Sequence, residues 1–462
     1  MFSNRSSYIA TILAVSVFGT ISAATSSSPT LHVKGEHYIT GPQALQKVNS
    51  EDAFKDYRKM LVGKTGFIPV PLDYRNPERK MNLFYRIPRA LDPSKPSLIF
   101  FYGGPGGTST GLTIEDRLID FNVVYFDQRG TGFSRPPTLE DLENPRYFES
   151  EFIARDAKVL LDFLGIKKVS LYGQSYGTVV ATIFAHFFPE MTTAVVLEGT
   201  VFNGTTDLWI NPDRVRILNG FLLSLSPEVR ARIIQLSQNG VLPPTWFSRL
   251  AADYLRGDNF AATLKSRLDA SFAGNDLSFE DEIRSEVDQS SQAEDSAYWG
   301  AYMYHQIACQ ELSLGKPYGS GDLIFDINGK LVPDPSDSSK EICLQLPGMA
   351  GRMNRTYFST SYAFSPMVTY FQGREDGNTG VTNAIRHFQA VPTGHASLVL
   401  VAHAGHGPIM GCMNIGKFDP NPPLCVRQSE EVALLTKALL GKTLSPADVE
   451  KIGPDWEVKA QK

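Results

Sequence analysis

The stretch Tyr172–Gly173–Gln174–Ser175–Tyr176–Gly177 decides how the rest of the chain is read. Before it, Lys168–Tyr172 is a short apolar run that ends in a turn signal, the pattern of a buried strand. After it, Thr178–Phe188 has helix-like apolar spacing and stops at Pro189. A serine between two glycines at such a junction has the form of a nucleophile elbow, with its hydroxyl exposed above a sheet. Gly173 and Gly177 have a steric reason to be there, because a side chain would collide with the neighbouring strand and helix where the backbone turns. A short motif of this kind recurs by chance, so its chemistry depends on what the other strands deliver.

Working outward, Ser97–Tyr102 is an apolar strand running into Gly103–Gly104–Pro105–Gly106–Gly107. Asn122–Phe126 is another, ending in Asp127–Gln128–Arg129–Gly130–Thr131–Gly132. Phe152–Leu164 has helical periodicity, and Thr193–Leu197 is a strand ending at Glu198–Gly199. The pattern resumes late in the chain with strand Pro366–Gln372, helix Val381–Ala390, strand Ala396–Ala402 and helix Glu430–Leu440. Upstream, a helix over Gln43–Leu61 precedes two strands, Thr65–Pro71 and Met81–Pro88, joined by the turn Asp73–Pro77. Alternating strands and helices predict an α/β fold, a mostly parallel sheet with helices on both faces.

Between residues 202 and 365 the strand-like runs thin out. Helix-like segments follow one another at Arg214–Leu225, Pro227–Asn239, Pro244–Arg256, Phe260–Phe272 and Asp295–Leu312, with a loop-rich stretch at Gly315–Pro347. This predicts a mostly helical cap inserted before the late strands. The expected division is a leader over 1–24, core over 25–201, cap over 202–365 and core again over 366–462.

The 462 residues, 42% of them hydrophobic and 20% charged, suffice for a large core. A net charge of −5 argues against nucleic acid or an anionic membrane surface as the main partner. The N-terminus reads as a secretory signal: Arg5, an uncharged apolar run over Tyr8–Ile21, and a small-residue cleavage site at Ser22–Ala23–Ala24. The expectation is export to the periplasm or the medium, with no membrane span after cleavage; an uncleaved anchor is the alternative. The four cysteines fit an exported protein, and pairing Cys309 with Cys343 and Cys412 with Cys425 closes two modest loops. Their spacing does not resemble a zinc site.

Serine is a weak nucleophile and needs a base oriented by a third group. In this topology the order is Ser, then Asp or Glu, then His, each after a strand. The run Met367–Gln372 ends in Gly373–Arg374–Glu375–Asp376, and Ser397–Ala402 ends in His403–Ala404–Gly405–His406–Gly407. Asp376 is the expected acid and His406 the expected base, with Glu375, Glu198 and His403 as competitors. The expected oxyanion donors are the backbone N–H groups of Tyr176 and Gly104. The Gly103–Gly107 loop lacks the Lys-Ser/Thr of a phosphate loop. Asp127 and Arg129 are expected to hold loops beneath the site rather than to react.

Taken together, Gly103–Gly107, Asp127–Gln128–Arg129–Gly130–Thr131–Gly132–Phe133–Ser134, Gly173–Gly177, Gly373–Asp376 and Gly405–His406 resemble the proline iminopeptidase and tripeptidyl aminopeptidase family of α/β-hydrolases. Ile68–Pro69–Val70–Pro71–Leu72–Asp73–Tyr74 and Ile307–Ala308–Cys309–Gln310–Glu311 look like the exported tripeptidyl-aminopeptidase branch. The resemblance runs from about Phe67 to Leu440 and departs at Tyr102, where the family usually has histidine, and at Thr178, where many members have a third glycine. It implies a serine exopeptidase that cleaves residues from peptide N-termini, without metal or other cofactor. Such an enzyme must recognise an α-ammonium, for which Glu311 is the first candidate carboxylate and Glu198 and Glu294 follow. Tyr298, Trp299, Tyr302 and Tyr304 are candidates for an apolar pocket, with core packing as the other reading. An esterase with the same three residues is the alternative enzyme, and a non-catalytic binding protein the alternative class.

Overall fold

The computed structural model describes residues 63–109, 114–205, 208, 212–238, 265–266, 268–270, 298–314, 323–325, 331–333, 343–344, 346–390, 395–413 and 428–460. The expected helices Gln43–Leu61 and Pro244–Arg256 lie outside these, as do residues 1–24. Of Phe260–Phe272 only 265, 266 and 268–270 are described, and they are helical.

The chain begins with an antiparallel pair, β1 (Lys64–Asp73) and β2 (Asn76–Ile87). Then come β3 (Ser97–Phe101), β4 (Asn122–Phe126), helix α1 (Ser150–Phe163), β5 (Val169–Gln174), helix α2 (Gly177–Phe187) and β6 (Thr192–Glu198). Next are helices α3 (Pro212–Ser224), α4 (Pro227–Gln238) and α5 (Tyr298–Glu311), and a small hairpin of β7 (Leu323–Phe325) and β8 (Leu331–Pro333). The chain returns with β9 (Met367–Gly373), helix α6 (Val381–Ala390), β10 (Ala396–Val401), helix α7 (Gln428–Leu439) and β11 (Trp456–Ala460).

Among the described residues nine strands form one sheet, in the order β1-β2-β4-β3-β5-β6-β9-β10-β11. The pairings from β4 through β3, β5, β6 and β9 to β10 are parallel; β2 and β11 run the other way, and β1, antiparallel to β2, runs with the central strands. All of the residues in β3 and β4 are buried, as befits strands covered on both faces.

The two-residue strand period sorts the core into two layers. Ile99 and Phe101 of β3 pack with α1, α2 and Ala384 of α6. Leu98 and Phe100, their neighbours, pack on the opposite face with Leu434, Leu435, Ala438 and Leu439 of α7. Helix α2, directly after the elbow, is buried over Gly177–Ala185, a central element enclosed on all sides.

The expected cap interval contains α3, α4, α5 and the β7–β8 hairpin, which falls in the stretch read as loop. Met303, Ile307, Ala308 and Cys309 of α5 belong to the same apolar cluster as α1 and α2, so this helix is rooted in the main core. Cys309 is bonded to Cys343, which ties α5 to the segment beyond the hairpin. The Cys412–Cys425 pairing lies outside the described residues. Two guanidiniums of α3 reach the end of β9: Arg214 Nε donates to Gly377 O at 2.7 Å, and Arg216 to Arg374 O.

Candidate active site

Ser175 sits at the tip of the β5–α2 turn with φ +54°, the left-handed region that non-glycine residues seldom occupy. The surrounding backbone leaves no room for side chains. A Cβ at Gly173 would lie 2.4 Å from Gly177 O, and one at Gly177 would lie 2.1 Å from Phe101 O. The turn is anchored from both sides: Ser175 N–H donates to Glu198 O at 2.8 Å, and Thr178 Oγ1 donates to Ser175 O at 2.6 Å. Val201 N–H in turn donates to Thr178 Oγ1 at 3.0 Å, so the threonine that departs from the family pattern stitches the elbow to the segment after β6.

The glycine-rich loop after β3 is laid against Ser175. A Cβ on Gly103 would come 2.8 Å from Ser175 Cβ and 3.5 Å from its Oγ. Gly104 follows with φ +112°, and Gly107 N–H closes the loop onto Gly103 O at 3.2 Å. Beneath it, Gln128 Nε2 donates to Tyr102 O at 3.1 Å. Tyr102 takes the place of the usual histidine as a buried ring packed on Phe100. Asp127 accepts from the N–H groups of Ser109 (2.7 Å) and Phe133 (2.8 Å), tying the two loops together. Arg129 spends all five N–H donors, two on Asp156 and three on the carbonyls of Pro71, Leu72 and Tyr147. Asp127 and Arg129 are thus structural, as their place in the sequence suggested.

Asp376 and His406 meet across the ends of β9 and β10. His406 Nδ1 lies 2.9 Å from Asp376 Oδ2. Asp376 is fully buried and also accepts from Asn378 N (2.8 Å), Thr379 N (3.0 Å), Thr379 Oγ1 (2.9 Å) and Gln372 Nε2 (2.8 Å). Burial alone would raise its pKa. The charge on His406, its hydrogen bond and the donors from Thr379 and Gln372 outweigh burial and hold the carboxyl well below its ordinary range. A carboxylate can only accept, so the Nδ1 proton stays on the shared edge and Nε2 is the ring nitrogen that could take a proton.

His406 and Ser175 flank the same short segment. Ser175 N–H rests on Glu198 O, and a Cβ on the adjacent Gly199 would lie 2.8 Å from His406 Cε1. The residues beside them also meet, because a Cβ on Gly407 would lie 3.3 Å from Gln174 Nε2. The structure therefore gathers Ser175, Asp376, His406 and the Gly103–Gly104 backbone at one end of the parallel strands. The competing pair turns to solvent: His403 and Glu375 bond to each other at 3.2 Å, with side chains 72% and 38% exposed.

Two carboxyls expected to face a substrate ammonium face inward instead. Glu198 is fully buried, accepting from Tyr172 Oη (2.6 Å) and from the N–H groups of Ile409 (2.6 Å) and Met410 (3.0 Å). Burial pushes it up to about 7, against the pull of those donors and of His406. Glu311 is buried against Ser150, whose N–H and hydroxyl both donate to it, and burial likewise pushes it up to about 7. Sequence spacing puts both residues near the site but carries no information on side-chain direction. Glu294 lies outside the described residues, as do the side chains of Tyr298, Trp299 and Tyr302; Tyr304 is half-buried and packs against the main core. Gly199, Gln372 and Thr379 are the residues whose part in the site the sequence did not single out. Each sits beside an expected member, which was the available signal. Among the described residues no group of three or more His, Cys, Asp or Glu side chains is placed to hold a metal ion.

Comparison with known proteins adds the lineage. The chain is 35% identical to a proline iminopeptidase of Aeromonas sobria over 155 residues, 29% of this chain and 36% of that protein. It is 29% identical to one from Clostridium botulinum over 155 residues, 33% of this chain and 48% of that protein. The matches thus span between a third and a half of these curated relatives. A solved alpha/beta hydrolase enzyme from a Medee basin deep-sea metagenome library is 13% identical with a TM-score of 0.44, covering 79% of this chain and 97% of that one. Residues 96–410 match the family model described as alpha/beta hydrolase fold. That interval takes in every strand from β3 to β10 and the loops carrying Ser175, Asp376 and His406, and the chain belongs to the alpha/beta hydrolase fold family.

Proposed function

We propose that the protein is a serine exopeptidase that removes residues from the free N-terminus of peptides, in the manner of a proline iminopeptidase or tripeptidyl aminopeptidase. The observation that carries this reading is the assembly of a left-handed Ser175, a glycine loop pressed against it, and a histidine whose Nδ1 is held by a buried carboxylate. Ser175 Oγ attacks the scissile carbonyl while its proton passes to His406 Nε2. The oxyanion is met by the N–H groups of Tyr176 and Gly104. The C–N bond then breaks, and His406 returns the proton to the leaving amine. Water, deprotonated by His406, attacks the acyl group on Ser175; the ester bond breaks, Ser175 regains its proton and the acid product leaves.

The elements between β6 and β9 act as the cap that restricts access to chain ends. Similarity to proline iminopeptidases supports the preference for N-terminal residues. The leader over 1–24 directs export, and the Cys309–Cys343 disulfide fits an oxidising compartment.

The test is a panel of chromogenic amides carrying prolyl, alanyl and tripeptidyl groups, each with a free and a blocked N-terminus, beside a short-chain ester. The expected result is amide turnover that is lost on blocking. Ester turnover without amide turnover, or blocked amides cleaved as fast as free ones, would overturn the exopeptidase reading.

A further inference from the structure

The residue after the nucleophile is braced from a distant part of the chain. Tyr176 is buried, and its Oη lies 2.7 Å from Ser150 Oγ. Ser150 opens α1, where a helix leaves N–H groups without internal partners. Glu311, the last residue of α5, fills that vacancy: its Oε1 accepts Ser150 N–H at 3.0 Å, and its Oε2 accepts the Ser150 hydroxyl. With that hydroxyl proton on the carboxylate, Tyr176 Oη donates to Ser150 Oγ, so the three side chains form one directed chain.

The far end of the chain is fixed. Glu311 O accepts Tyr357 N–H at 2.8 Å, and Gly204 passes so close that a Cβ there would lie 1.9 Å from the same oxygen. Two residues before Glu311, Cys309 is bonded to Cys343. A carboxyl needed only to cap α1 would not require the hydroxyl of the residue that donates to the oxyanion to be joined to it.

We propose that Glu311 is a positioning residue for the elbow: through Ser150 it fixes the ring of Tyr176, and with it the backbone N–H that meets the oxyanion. This role rests on the acyl-transfer reading of Ser175. It also ties the end of α5, a helix of the expected cap, to the reacting centre. The titratable and charged groups facing Glu311 are Glu149 at the start of α1, Tyr176 at the elbow, and Arg355, Tyr357 and Tyr362 after the disulfide. Glu149 raises its proton affinity and Arg355 lowers it, and burial dominates both.

The test uses the full chain with Glu311→Gln, Glu311→Ala, Ser150→Ala and Tyr176→Phe, and two independent readouts. In protein labelled with ¹⁵N-tyrosine, the Tyr176 amide resonance (identified by its loss in Tyr176→Phe) should titrate in the wild type between about pH 6 and pH 8 and stop titrating in Glu311→Gln. In steady-state turnover, Glu311→Ala should lower kcat roughly 10- to 100-fold with KM within about twofold, and Glu311→Gln should recover part of the loss. On a Tyr176→Phe background, the same Glu311→Ala change should cost less than about threefold. An unmoved Tyr176 resonance in every variant, full kcat in folded Glu311→Ala, or costs that simply multiply would overturn the proposal. Failure of a fluorophosphonate to label wild-type Ser175 would instead sink the acyl-transfer reading, while the amide resonance still decides whether the brace exists.

Discussion

Gly199 lies face to face with His406: a Cβ on the glycine would come 2.8 Å from the imidazole Cε1 and 2.9 Å from Nδ1. Its φ of +62° is also one that a side chain resists. Gly199→Ala should therefore displace the ring rather than unfold the sheet. The expected outcome is a fall in kcat of roughly a hundredfold, beyond the modest drop in thermal midpoint that the strained φ and the approach to His406 O also bring, since small displacements of a side chain at the site cost that much. An alanine variant with full turnover would show that His406 does not need its present position.

Asp376 meets His406 Nδ1 through one oxygen, while Gln372 of β9 supplies one further hydrogen bond and the following loop three. Asp376→Asn keeps the shape but lets Nδ1 face an amide, favouring the wrong tautomer. A loss in kcat of about 10⁴-fold is expected, by analogy with other serine triads. Asp376 is held below its ordinary value, so its contribution to stability is complete above about pH 4 and is lost as pH falls. Urea midpoints of wild type and variant should accordingly converge under acid conditions.

Glu198 clamps the loop that follows His406. Its pKa is raised from 4.5 to about 7, so the stability it contributes is complete below about pH 4.5 and is lost as pH rises through 7. Relative to Glu198→Gln, the wild type should lose up to about 3 kcal/mol of unfolding free energy between pH 5 and pH 8. Parallel pH curves for the two proteins would contradict a buried, protonatable Glu198. Glu198→Ala leaves three donors without their acceptor and should be the less stable variant at every pH.

The Cys309–Cys343 bond spans a sequence separation of 34. Closing a loop of that size restricts the unfolded chain by about 4 kcal/mol in the loop-entropy account. Reduction, or paired replacement of both cysteines by serine, should lower the thermal midpoint by several degrees and loosen α5. A midpoint unchanged by reductant would mean that α5 is held by its apolar packing alone.

Much of the fold was legible because buried parallel strands read as short apolar runs. β3, β4 and β5 fall within a residue or two of their expected positions, and α6 matches its expected bounds. The strands that escaped notice are those with little to bury. β11 is mostly exposed beyond Trp456 and, among the described residues, pairs only with β10, and β7 and β8 are three residues each. The placement of Ser175, Asp376 and His406 at the ends of β5, β9 and β10 was legible because strand ends are fixed by topology. The directions of Glu198 and Glu311 were not, because a carboxylate near a site looks the same in sequence whether it meets substrate or braces a loop. That choice depends on Tyr172, Ile409 and Ser150, which lie up to 211 positions away along the chain.

The proposed chemistry makes Ser175 a nucleophile activated by His406 and Asp376. Its most direct measurement is the intact mass of the protein after brief exposure to a fluorophosphonate. A single adduct is expected, located on the peptide that contains Ser175, absent in Ser175→Ala and formed at least a hundredfold more slowly, in rough terms, in His406→Ala. An unmodified wild type, or an adduct that persists in Ser175→Ala, would contradict it.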